Sequence, residues 1–170
     1  MDDRHERRRP AARLALCAAL AAASLAAMAA DGPVAPDFAL RALAGGNYRL
    51  SEYRGEVVAL LFWASFCGDC RRELERFEKL RRTYASAGFV VLGVNLDSVP
   101  EKAAAQAAAA RIGYPVLVDP DHAVSKAYDA ERLPLVLLID RQGVVRARHD
   151  ALDEREERGL LVSLRDLIDE

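Results

Sequence analysis

Cysteine and histidine are scarce in this 170-residue chain, with three of each, and that scarcity narrows its chemistry. A structural zinc site takes four ligands. The chain offers Cys67 and Cys70 with His122 and His149, and neither histidine stands at finger-like spacing from the thiols. No metal site is expected, and no cofactor beyond the thiols themselves. Basic tracts are missing too once the N-terminal segment is set aside. Removing residues 1–29 takes five arginines from the 24 bases and three carboxylates from the 26, leaving a net charge of −4. That balance argues against nucleic acid and against an anionic lipid surface as partners. No repeat and no long linker interrupts the remaining ~140 residues, enough for one domain with a real core.

What is present begins with a delivery segment. "MDDRHERRRPAAR" is basic, and Leu14–Ala30 then runs without a charge to a small-x-small end at Ala27-Met28-Ala29. A basic start, an apolar stretch and that ending describe a signal peptide over 1–29, cleaved before Ala30. The alternative is an uncleaved membrane anchor, for which the run falls short of the ~20 residues a spanning helix needs. A lipid-attached cysteine is disfavoured because most of the apolar run follows Cys17 instead of preceding it. Cleavage also removes Cys17, leaving Cys67 and Cys70 in an extracytoplasmic (periplasmic) compartment that permits disulfides.

Residues 30–36 read as a spacer, and 37–170 as the folded domain. "DFALRALAGGNYRLSEYRG" alternates around "AGGN", predicting a β-hairpin that runs into a turn at Gly55. "VVALLFW" (57–63) is an unbroken apolar run, as in a strand buried on both faces. Leu74, Phe77, Leu80 and Tyr84 then recur at helical spacing up to Gly88. A strand over 89–96 follows, then an alanine-rich helix with Pro100 in its first turn and Gly113 past its end. Beyond lie a short strand in "YPVLVDP", a short helix in "DHAVSKAYDAERL" and two strands joined at Gly143. An amphipathic C-terminal helix closes the chain. Strands alternating with helices predict an α/β sandwich, parallel at its centre with an antiparallel edge pair.

"WASFCGDC" carries the chemistry. A bridge between cysteines two residues apart closes so small a loop that it constrains the unfolded chain little, which weakens a purely structural role. A redox couple has a positive mechanism. Cys67 falls where the strand ends and the helix begins, so the positive end of the helix dipole favours its thiolate. The thiolate is the form that attacks disulfides. Cys70 lies one helical turn on, close enough to bond to Cys67. A C-x-x-C after a buried strand in a βαβ setting is a redox motif.

"APDFAL", "LLFWASFCGDCRRE", "VVLGVNLD", "YPVLVDPD" and "LPLVLLIDRQGVV", in that order, resemble the TlpA/ResA-like (CcmG/DsbE-related) thioredoxin-fold proteins over nearly all of Pro36–Ile168. The resemblance implies a thioredoxin-like α/β fold, a central mixed β-sheet flanked by helices, with an N-terminal β-hairpin and an inserted helix–strand unit. It also implies an exported thiol–disulfide oxidoreductase that reduces client disulfides, such as those of apocytochrome c in cytochrome c biogenesis. A membrane thiol–disulfide electron donor would recharge it, and the mature domain would act as a soluble monomer. By the same resemblance Cys67 is the nucleophile, Cys70 the resolving cysteine, Glu73 the acid/base carboxylate and Pro134 a cis-proline facing the disulfide. The backbone of Leu133 would then hold client peptide by strand-like hydrogen bonds.

The residues themselves support Glu73. It is i+3 from Cys70 and opens the helical row of Phe77, Leu80 and Tyr84, where a carboxylate should have a raised pKa. Glu75 and Glu78 read instead as ordinary glutamates of the first turns. Phe66 keeps the family's aromatic ring before the first cysteine but lacks an indole N–H. Gly68 and Asp69, between the cysteines, are the positions that tune the couple; Asp69 replaces the usual proline, and Glu75 a helix-kinking one. Two other classes are weighed: a non-enzymatic module binding metal or client through the thiols, and a peroxiredoxin-like peroxidase. The latter wants proline and threonine where Leu60 and Ala64 stand.

Protein isolated from the native host is expected to begin at or near Ala30 on N-terminal sequencing. Recovery of Met1 in a detergent-extracted membrane fraction would establish the anchor instead.

Overall fold

The computed structural model describes residues 32–150 and 154–170; the expected signal peptide and the first residues of the spacer lie outside the described residues. The fold is built around β3 (Val57–Trp63), every residue of which is buried. Side chains alternate across a strand, and here both faces are covered. Val58, Leu60 and Phe62 pack with Phe38, Leu50, Val94, Leu135 and Tyr128 on one face. Val57, Ala59, Leu61 and Trp63 pack with Leu74, Phe77, Leu160 and Leu164 on the other. Each large side chain so buried contributes roughly 1.5–3 kcal/mol.

Seven strands form one sheet in the order β2-β1-β5-β4-β3-β6-β7. β4 (Phe89–Asn95) and β5 (Val116–Val118) run parallel to β3. β6 (Leu135–Ile139) and β7 (Val145–His149) continue the sheet antiparallel beyond β3. The hairpin of β1 (Ala39–Ala42) and β2 (Asn47–Arg49) joins the same sheet, because β1 pairs antiparallel with β5. Antiparallel pairs therefore flank the parallel centre on both sides, not on one. The result is the thioredoxin-like arrangement, a mixed sheet with helices on its faces. The helices are α1 (Cys70–Tyr84), α2 (Pro100–Ala109), α3 (Ala123–Ala127) and α4 (Glu154–Asp169).

Both middle helices are shorter than their sequence suggests, and left-handed residues explain it. α2 ends before Arg111, which takes φ 52°, so Gly113 is not its terminator. α3 spans five residues because His122 (φ 55°) and Asp129 (φ 50°) flank it. The Arg148 guanidinium donates to the Tyr128 and Asp129 carbonyls at 2.8 and 2.9 Å, taking up acceptors the chain leaves open there. Residues 33–36 of the expected spacer are tied to the domain. The Ala35 N–H donates to Gly143, the Val145 N–H to Pro33 and the Tyr128 hydroxyl to Pro36, at 2.9, 2.9 and 2.6 Å.

Glu78 departs furthest from its reading as an ordinary glutamate of the first turns. It is 5 % exposed and accepts two hydrogen bonds from Arg81, one from Arg82 and one from the Gly113 N–H. A Cβ at Gly113 would stand 3.2 Å from the Arg81 guanidinium and 3.4 Å from the Glu78 carboxylate, so a larger residue would press on this cluster. The cluster fastens α1 to the loop entering β5. The Arg81 hydrogen bonds outweigh burial and hold the Glu78 carboxyl down at about 2, against 4.5 for a free glutamate.

A depressed carboxyl stabilises the fold at pH values above its unfolded pKa and loses that contribution as pH falls through the folded one. Glu78→Gln is therefore expected to cost about 2–3 kcal/mol at pH 7. The difference from wild type in urea unfolding should shrink between pH 4.5 and about 2. A pH-independent difference would assign the loss to packing.

Candidate active site at the end of the parallel strands

The carboxyl ends of β3, β4 and β5 lie together, because Trp63 pairs with Asn95 and Asn95 with Val118. On the other flank Phe62 pairs with Leu135, so the chain enters β6 through Leu133 and Pro134 at the same end of the sheet. The register thus brings residues 64–70 and 133–134, far apart in sequence, to one edge.

Residues 64–69 form a turn, not the start of the helix. α1 begins at Cys70, whose N–H donates to the Cys67 carbonyl at 3.4 Å. Cys67 therefore stands just ahead of the helix N-terminus, where the dipole still favours an anion. The two cysteines form a disulfide with a Cα–Cα separation of 5.4 Å. Their exposure differs: Cys67 is half-buried and Cys70 fully buried. Phe66, beside the accessible cysteine, is 77 % exposed.

Asp69 occupies the N-cap position without making a side-chain cap bond. Its carboxylate is exposed and lies 3.5 Å from the Arg72 guanidinium, so water and a cation both screen it from Cys67. Gly68 is exposed, and a Cβ there would meet nothing within 4 Å. Glycine is therefore not a packing requirement at this position. The Leu133–Pro134 bond is cis, Pro134 is buried, and Leu133 packs against both halves of the core.

Glu73 lies one turn into α1 and is 2 % exposed. Its Oε2 has no hydrogen-bond partner. Burial pushes the carboxyl above the ordinary glutamate value, and the cations of Arg76 and Arg72 oppose that rise. Glu157 and Asp69 add to it. Arg76 lies 3.6 Å from Oε2 and is itself held by α4, through the Glu157 carboxylate and the Glu157 carbonyl, both at 3.3 Å.

Sequence reasoning missed a second carboxylate that shapes the site. Asp97, buried just past β4, accepts from the Ser65 N–H (2.9 Å), the Ser65 hydroxyl (2.7 Å) and the Asn95 amide (2.8 Å). The Asp97 N–H donates back to the Asn95 side chain at 3.0 Å. Two residues before Cys67, the turn is thus pinned to the neighbouring strand. The available signal was two polar residues at i and i+2 closing an apolar strand, since Asn and Asp side chains readily bond nearby backbone.

His122 stands just ahead of α3, and His149 bonds Glu156 at 2.7 Å. Among the described residues no group of three or more His, Cys, Asp or Glu side chains is gathered to hold a metal ion. Nor is any helix among them long and apolar enough to cross a membrane.

Residues 32–148 match the sequence model of the AhpC/TSA family. The chain belongs to that family. It is 38 % identical over 119 residues to a thiol-disulfide oxidoreductase ResA of Geobacillus kaustophilus, covering 69 % of this chain and 67 % of the relative. It is 33 % identical over 123 residues to the thioredoxin-like protein YneN of Bacillus subtilis, covering 70 % and 71 %. Among solved structures, a candidate thiol:disulfide interchange protein DsbE from Chlorobium tepidum superposes with a TM-score of 0.76. The identity is 33 %, covering 81 % of this chain and 96 % of that one. This member of the AhpC/TSA family is a thiol–disulfide oxidoreductase of the ResA and DsbE type.

Asp97→Ala should leave the Ser65 N–H and hydroxyl without their acceptor and the Asn95 amide with only the Trp63 carbonyl at 3.5 Å. The expected cost is about 2–3 kcal/mol in urea unfolding, with faster amide hydrogen exchange at Ser65 than at β3. Unchanged exchange at Ser65 would show that Asp97 does not hold the turn.

Proposed function

We propose that the protein is exported, with residues 1–29 removed, and reduces disulfides in client proteins through the Cys67/Cys70 dithiol. The observation that carries this reading is the unequal exposure of two cysteines in one disulfide ahead of α1, with a buried carboxylate one turn further on. Cys67, the accessible thiolate, attacks one sulfur of the client disulfide. The client S–S bond breaks and a mixed disulfide forms. Cys70 then attacks the Cys67 sulfur, closing the internal disulfide and releasing the second client sulfur as a thiol. Two electrons pass from the dithiol to the client. Glu73, raised by burial, takes the proton that Cys70 loses, returning it to solvent or to the departing thiolate.

The cis geometry at Leu133–Pro134 and the exposed ring of Phe66 support a role for this edge in seating client backbone and side chains. Gly68 and Asp69 set the poise of the couple, within the limits that screening by Arg72 imposes. No cofactor beyond the disulfide enters the scheme. A membrane thiol–disulfide donor restores the dithiol, the mature domain works as a monomer, and an apocytochrome c is the client to try first. A peroxidase draws no support here: Leu60 in β3 and Ala64 just past it are fully buried and supply no hydroxyl near Cys67.

Cys70→Ala is expected to accumulate mixed disulfides on the Cys67 peptide in cells, read by non-reducing electrophoresis and mass spectrometry. Cys67→Ala should not trap clients through Cys70. Equal trapping by both variants would overturn the division of roles.

A further inference from the structure

Arg76 is a nearly buried cation shared between two carboxylates on different elements. Its side chain is 13 % exposed; one guanidinium nitrogen lies 3.6 Å from Glu73 Oε2, and another lies 3.3 Å from the Glu157 carboxylate. That second nitrogen also donates to the Glu157 backbone carbonyl at 3.3 Å, which seats the guanidinium on α4. We propose that Arg76, seated on Glu157, is the positioning residue that sets how readily the Glu73 carboxylate exchanges a proton with Cys70. The inference rests on the role given to Glu73 above.

The other groups facing Glu73 cannot do this as well. Arg72 approaches Oε1 at 3.8 Å, but its side chain is 68 % exposed and water weakens its charge. Asp69 lies toward solvent at the helix start. Tyr114, from the loop before β5, presents a phenol whose burial keeps it neutral, with its hydroxyl donating to the Leu74 carbonyl at 3.1 Å. Cys70, three residues earlier on α1, is the proton's source. Among the described residues Arg76 alone combines a low-exposure position with closeness to the oxygen that lacks a hydrogen bond.

The geometry gives Arg76 and Glu157 opposite signs. The cation at Oε2 favours ionised Glu73, so its removal makes the carboxyl hold its proton to higher pH. The Glu157 carboxylate draws on the same cation and repels Glu73, so neutralising it favours ionised Glu73. The Glu157 carbonyl remains to hold the guanidinium. Glu73 accepts a proton only when ionised, so the acid limb of the resolving step should follow its titration. A purely structural role would slow the reaction at every pH without moving that limb.

Two readouts on the full-length protein separate the possibilities. The Glu73 carboxyl is titrated by carbon-13 NMR with glutamate labelling. Release of a model peptide thiol from its mixed disulfide with Cys67 is followed against pH. Arg76→Gln should move both the carboxyl midpoint and the acid limb to higher pH by about one unit. Glu157→Gln should move both to lower pH, and Arg76→Lys should restore most of the wild-type position. In a Glu73→Gln background, Arg76→Gln should shift no limb.

Carboxyl midpoints that stay put, or move the same way in Arg76→Gln and Glu157→Gln, would overturn the inference. Should Arg76→Gln fail to fold, Arg76→Lys and Glu157→Gln decide it on the sign of the NMR shift. A wild-type pH profile in Glu73→Gln itself would instead overturn the role of Glu73, and the NMR midpoints would still report on Arg76.

Discussion

The burial of β3 on both faces and along both edges is the constraint from which the site follows. A seven-residue strand with no polar position has nowhere to lie except the middle of a covered sheet. Once β4 and β6 have paired with it, the exit of β3 and the entry of β6 must share an edge. The turn bearing Cys67 and the bond before Pro134 meet there because register demands it. Removing apolar bulk from β3 would loosen the two halves of the core together, since alternate residues serve each.

Two buried glutamates on α1 show how the same side chain acquires opposite properties. Glu73 and Glu78 are 2 % and 5 % exposed, and both have arginines nearby. Glu78 receives direct hydrogen bonds of 2.6–2.9 Å on both oxygens, so its charged form is favoured well beyond what burial removes. Around Glu73 the cations stand at 3.6 and 3.8 Å, and Oε2 is left without a hydrogen bond, so burial prevails. Glu78 is consequently a fixed anion that fastens elements together, whereas Glu73 can change state. A raised carboxyl binds its proton more tightly in the folded chain. Its stabilising contribution is present below the unfolded pKa and is lost as pH rises through the folded one. The fold is thus least well served by Glu73 under the conditions in which the proposed proton-transfer role requires it ionised.

The turn before the disulfide draws its definition from outside the motif. Cys67 and Cys70 lie within four residues, yet the turn ahead of them is held by Asn95, the last residue of β4, and Asp97 just past it. Polar groups so buried are costly unless each finds a partner, which makes such a network a strong local specifier of geometry.

Elements whose signal is local and dense could be read directly from the order of residues. The apolar run of β3, the C-x-x-C behind it, the period of α1 and the glycine turns all follow from side-chain volume, alternation and backbone freedom within a few residues. The burial of Glu73 was legible for the same reason, because spacing along one helix puts it on the apolar row of Phe77, Leu80 and Tyr84. Features that depend on distant partners emerged only once the chain was folded. Glu78 looks like any surface glutamate until the loop at Gly113 closes over it, and Asp97 like a loop residue until Ser65 arrives from β3. Arg76 resembles a solvated arginine until α4 brings Glu157 against it. The lengths of α2 and α3 fall in the same group, since Arg111, His122 and Asp129 take left-handed conformations that their side chains do not announce. Charge, hydrogen-bond satisfaction and backbone handedness depend on what the folded chain places nearby, and one-dimensional spacing carries no record of that.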